Sequence, residues 1–111
     1  MSYDNTTVVP SAARTVSGNS GPLSVNSGTL ALGVVVSAAS GVTPSMALTV
    51  EWSFDGVNFG PGETAVSFAA ITVAKNTTQR VPAQAPYYRL VWTVTGTTPS
   101  FTFSANAWSI A

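Results

Sequence analysis

Apolar residues recur at every second position through most of this chain, in runs of strand length. Met46, Leu48, Val50, Trp52 and Phe54 alternate with Thr49, Glu51 and Ser53, which predicts a half-buried strand over 46–54 with the first set inward. Asp55-Gly56 follows at once and predicts a hairpin turn, with Val57-Asn58-Phe59 beginning the return before Gly60-Pro61-Gly62 ends it. Upstream, Leu30, Leu32, Val34 and Val36 share one face of a strand over 29–38, and Ser40-Gly41-Val42-Thr43-Pro44 reads as the break after it. Downstream, 65–73 predicts another strand, Lys75-Asn76-Thr77 a turn, and 78–81 a short strand stopped by Pro82. Ala83-Gln84-Ala85-Pro86 bends the chain into a strand with Tyr88, Leu90, Trp92 and Val94 inward. Thr95-Gly96-Thr97-Thr98-Pro99 closes it, and the last strand, 100–110, turns Phe101, Phe103, Ala105 and Ala107 to the core.

No segment carries a helical stripe, and Gly or Pro punctuates the strands throughout. About seven or eight strands at this spacing predict one all-β domain, an antiparallel β-sandwich or jelly roll, over 28–111. Residues 1–27 are rich in Ser, Thr, Asn and Gly, with short apolar interruptions at Val8-Val9 and Leu23-Ser24-Val25. They read as an N-terminal extended arm, partly flexible or partner-ordered, with one or two short edge strands; disorder alone is the alternative.

Composition narrows the chemistry. The chain has no histidine and no cysteine, so Ser-His-Asp triads, thiol nucleophiles, disulfides and His/Cys metal sites cannot be built. Glu51 and Asp55 share parity on one strand and stand roughly 13 Å apart, too far for the roughly 5 to 9.5 Å of a glycosidase pair. Asp55-Gly56-Val57-Asn58 lacks the dense acidic spacing of a calcium loop, and the turn explains it without an ion. The Asn-x-Thr triplets at Asn5 and Asn76 read as arm and turn residues, since the N-terminus has no secretion signal. The expectation is therefore a non-enzyme without cofactor or metal.

Charge is scarce: four acids and four bases, 7% of residues, balance to a formal net charge of zero. An ordinary domain carries about 25%. With no basic patch, nucleic acid is not an expected partner, and no apolar run approaches the roughly 20 residues of a membrane helix. A neutral coat of hydroxyls and amides suits a surface covered by other proteins, or a merely neutral domain. Tyr87 and Trp108 fall on the outward parity of their strands, as interface anchors, edge packing or a sugar-stacking pair. Arg14, Arg80 and Arg89 complete the candidate interface set; for Arg89, a cross-strand pair with Glu51 competes with an intermolecular role.

Leu48-Thr-Val-Glu-Trp-Ser-Phe-Asp-Gly-Val-Asn-Phe59 and Tyr87-Tyr-Arg-Leu-Val-Trp-Thr-Val-Thr-Gly-Thr-Thr-Pro-Ser-Phe-Thr-Phe103 resemble small virion proteins of tailed bacteriophages. In these a strand ends in an S-x-D-G-x-N-[WF] hairpin, and a later Y-x-R-x-x-W-T-V-T-G-T strand precedes the last one. The resemblance implies a capsid decoration (cement) protein, a homotrimer made in the host cytoplasm and bound to the major capsid protein on the head surface. A tail-associated structural protein, or a carbohydrate-binding or host-adhesion module, are the alternatives.

Overall fold

The computed structural model describes the backbone of residues 3–25 and 28–110 and the side chains of residues 6–25 and 28–108. The Asn5 side chain and the expected arm boundary at Ser27 lie outside the described residues. All regular structure among the described residues is strand: β1 (Tyr3–Arg14), β2 (Gly18–Asn19), β3 (Leu23–Ser24), β4 (Thr29–Ser53), β5 (Val66–Ser67), β6 (Lys75–Pro82) and β7 (Tyr87–Ile110).

Two long strands, β4 of 25 residues and β7 of 24, pair antiparallel from Thr29↔Ile110 to Ser53↔Tyr87. A straight strand of that length would reach roughly 80 Å. The molecule measures 41 × 29 × 20 Å, so the ribbon must double back. Trp92 and Phe103, both on β7, would stand roughly 36 Å apart if it were straight. Their rings meet edge to face with centroids 5.4 Å apart.

The fold-over makes two layers from one ribbon. In the first, β1 pairs with 101–110 of β7, which pairs with 29–36 of β4, which pairs with β6. In the second, β2 and β3 pair with 87–94 of β7, which pairs with 46–53 of β4, which pairs with β5. This is a jelly-roll sandwich, in which strands switch layers through bulges rather than ending.

The core lies between the layers and follows the period-two pattern. Leu30, Leu32, Val34 and Val36 meet Met46, Leu48, Val50 and Trp52 from β4, and Tyr88, Leu90, Trp92, Phe101, Phe103, Ala105 and Ala107 from β7. Phe68, Ile71 and Val81 close it. Val8 and Val9 are adjacent yet both buried, because a register shift between Thr7 and Val9 inserts a bulge that turns consecutive side chains inward.

Several expected boundaries move. The predicted breaks at 40–44 and 95–99 are corners inside continuous strands, where β4 and β7 keep pairing through Ser40↔Ser100, Val42↔Thr97 and Ser45↔Thr95. Lys75-Asn76-Thr77, expected as a turn, opens β6 instead. The predicted strand over 65–73 shrinks to Val66–Ser67 and a bridge from Ile71 to Met46. Phe54, expected inward, is 82% exposed, because the alternation stops where Ser53 tucks its hydroxyl into the following turn. The segment read as an arm contributes β1, β2 and β3, all paired with β7.

The corner is built twice from one short pattern, Gly41-Val42-Thr43-Pro44 on β4 and Gly96-Thr97-Thr98-Pro99 on β7. Both glycines have φ of 117°, and Thr43 and Thr98 sit at 48° and 46°. A Cβ on Gly41 would fall 2.8 Å from the Thr98 carbonyl oxygen and 2.9 Å from the Pro99 Cα. One on Gly96 would fall 2.8 Å from the Thr43 oxygen and 3.0 Å from the Pro44 Cα. Each glycine thus makes room for the other strand's quartet. Gly33 differs: its Cβ would meet open space in an extended strand. Gly41→Ala and Gly96→Ala should each lower the unfolding free energy by about 2 kcal/mol or more, whereas Gly33→Ala should be neutral or stabilising by about 0.5 kcal/mol. Equilibrium urea denaturation of the three variants checks this contrast.

Candidate interaction surfaces

Strand parity and register sort the five candidate residues onto different surfaces. Trp108 and Arg80 come together: Trp108 pairs with Ala31, and Ala31 with Arg80, in one row across the outer face of the first layer. The next rows are Asn106-Gly33-Thr78 and Ser104-Val35-Asn76. Trp108 and Val35 are 46% and 45% exposed, and Gly33 leaves a shallow gap between them. Arg80 is exposed and is the one charge in these three rows.

Tyr87 and Arg89 lie on the outer face of the second layer. Because Tyr87 and Trp108 occupy opposite faces of the sandwich, they form no common platform for a sugar ring. Arg89 pairs with the directly opposite Glu51, its Nε donating to Oε1 at 2.7 Å. The same guanidinium lies 4.5 Å from the centre of the Phe59 ring.

Arg14 is held within the chain. Its guanidinium donates to the carbonyls of Pro10 (2.7 Å), Phe103 (2.8 Å) and Ala12 (3.0 Å), and sits over the rings of Phe103 and Trp92. Partial burial lowers its pKa from the usual arginine value. It fastens the end of β1 over the sandwich opening, where the Trp92 indole also donates to the Val16 carbonyl at 3.2 Å.

Sequence reading missed a cleft at the end opposite the corner. It has a volume of about 390 Å³, with Trp52 and Gly60 on its walls, Phe54 and Glu63 at its exposed rim, and Gln84 across from them. Gln84 ties the two loops together, accepting from Thr64 N–H at 2.9 Å and donating to the Thr64 carbonyl at 2.7 Å. Gly62 leaves no space for a side chain: a Cβ there would lie 2.6 Å from Gln84 Oε1 and 2.7 Å from Trp52 Cδ1. The Trp52 indole N–H is buried without an acceptor among the described residues. The available signal was Gly60-Pro61-Gly62 beside a strand-ending tryptophan, but the partner loop lies more than twenty residues downstream.

The rim of this cleft is densely hydrogen-bonded. The Asp55 carboxylate accepts from the N–H groups of Asn58 and Val57, both at 2.9 Å, from the Asn58 amide at 2.7 Å and from the Ser53 hydroxyl at 2.8 Å. Ser53 Oγ in turn accepts from the N–H groups of Gly56 and Asp55. The return ladder begins at Gly60, which exchanges two hydrogen bonds with Trp52, and not at Val57. Among the described residues no group of three or more acids could hold a metal ion, and no helix is long and apolar enough to cross a membrane.

The jelly roll is shared with solved viral structures. The chain superposes on a chain from the structure of infectious bursal disease virus, Gt strain, with a TM-score of 0.60 and 9% identity over 97% of its length. A chain from the Gx strain gives 0.56, 14% and 96%. Both likenesses are of fold. The chain spans about a third of either partner, 33% and 31%. No family model and no curated protein sequence matches it.

Arg14→Lys should not replace the three-carbonyl fork and should destabilise by about 2 kcal/mol, read from the thermal midpoint and urea unfolding. Asp55 titrates well below the usual carboxylate range because the Asn58 and Val57 N–H groups, the Asn58 amide and Ser53 favour its charged form. A depressed folded-state pKa supplies stability above the unfolded value and loses it as pH falls toward the folded one. Asp55→Asn should therefore flatten the decline in unfolding free energy between about pH 5 and pH 2. An unchanged slope in that window would show that the turn network adds nothing to acid stability.

Proposed function

We propose that this chain is a virion structural protein, a decoration (cement) protein that binds the outer surface of a tailed-phage head as a homotrimer. The carrying observation is the outer face of the first layer, where Trp108, Ala31, Gly33, Val35, Asn106 and Thr78 form a nearly uncharged surface. Such a face costs little to desolvate and presents small side chains that permit close approach, with Trp108 as an anchor. The resemblance of 48–59 and 87–103 to small phage virion proteins and the fold shared with chains of a virus structure support the same reading.

The mechanism is associative. Each subunit bridges neighbouring capsid subunits, and binding to the assembled lattice stabilises it by mass action. The chain has neither imidazole nor thiol, and among the described residues the buried hydroxyls are those of Ser53 and of Tyr88, whose pKa burial pushes up to about 12.

Co-sedimentation with expanded, DNA-free heads of the phage that encodes the protein tests the proposal. Wild type should pellet saturably and raise the temperature at which the heads disrupt. A Cβ at Gly33 meets no neighbour, so Gly33→Arg puts a long charged side chain into the outer face and should abolish pelleting, with the unfolding midpoint measured as the control for folding. Wild-type protein that stays in the supernatant at every head concentration would refute the proposal.

A further inference from the structure

Two of the chain's three arginines lie over an aromatic ring and donate to oxygens of their own chain. Arg14 lies 4.6 Å from the Phe103 ring centre and donates to carbonyls; Arg89 lies 4.5 Å from that of Phe59 and pairs with Glu51. Arg80 is exposed on β6, with neither ring nor acid against it among the described residues. Among the described acids, Glu51 is paired and Asp55 is saturated by its own turn. Glu63 has no ion pair or hydrogen bond, and it shares the cleft rim with Phe54, which is 82% exposed. Among the described residues, Arg80 is thus the arginine without a ring or an oxygen partner, and the cleft rim holds an exposed ring and an acid without an arginine.

We infer that the Phe54–Glu63 cleft receives Arg80 from a second copy of this chain. The guanidinium plane would stack on Phe54 while its fork meets the Glu63 carboxylate, as Arg89 does with Phe59 and Glu51. The Asp55 network fixes the backbone on both sides of Phe54, which limits the ordering required when the arginine arrives. Donor and seat are different patches on one molecule, so the contact is heterologous, the kind that builds a ring when the rotation between copies closes. The inference rests on the assembly reading above and names the contact between its subunits.

Both residues are exposed, so charge reversal should leave the fold intact. The full-length protein is measured by sedimentation equilibrium, with the unfolding midpoint as the control for folding. Glu63→Arg and Arg80→Glu should each weaken self-association by about ten-fold or more, and the double variant should recover most of the loss. Phe54→Ala should weaken it too, and Lys75→Glu, at the corner end of β6, should not. Single reversals without effect, a double variant that does not recover, or wild type that is monomeric at all concentrations would each overturn the contact. Wild type that self-associates and binds heads while the reversals change nothing would overturn this contact and leave the assembly proposal standing.

Discussion

Two backbones cross at the corner of this molecule closely enough that neither tolerates a Cβ. Gly41 lies against the Thr98 carbonyl and Gly96 against that of Thr43, and each is followed two residues later by a threonine with positive φ. For a β-branched residue that conformation is strained, and it occurs here twice in matching places. The crossing lets one antiparallel ribbon become two facing layers without ending a strand. The rest depends on it: Trp92 reaches Phe103, and the two apolar faces of β4 and β7 are buried against each other.

Once the ribbon is folded, the other end of the sandwich must be closed by loops, and the polar chemistry gathers there. Ser53, Asp55 and Asn58 bind one another and their own backbone, Gln84 bridges to Thr64, and Gly62 yields space to Trp52. Four of the seven described charged side chains are satisfied within the chain. Arg14 serves three carbonyls and Arg89 serves Glu51, which leaves Glu63, Lys75 and Arg80 unpaired among the described side chains. On a nearly neutral surface a few unpaired charges can set register and partner while apolar and hydroxyl-rich faces supply contact area.

The long strands also separate surfaces that the sequence placed near one another. Tyr87 and Trp108 lie on one strand, yet the corner between them sends them to opposite outer faces. Arg80 and Trp108, distant in sequence, become members of one row. The surfaces available for assembly are thus set by the fold-over as much as by the side chains that line them.

The alternation over 46–52, 88–94 and 101–107 was legible without any structure, because inward and outward parity along a strand depends only on neighbouring residues. So were the all-β class, the Asp55-Gly56 turn and the opposition of Glu51 to Arg89 as one of two readings. The corner was not, because a Gly-x-Thr-Pro stretch signals a turn and a layer switch alike; only the partner strand passing within about 3 Å distinguishes them. Nor was the exposure of Phe54, which hinges on where Ser53 leaves the ladder, or the cleft, whose walls come from loops far apart in the chain. Local periodicity determined which residues face inward; the crossing of distant backbones decided what they face.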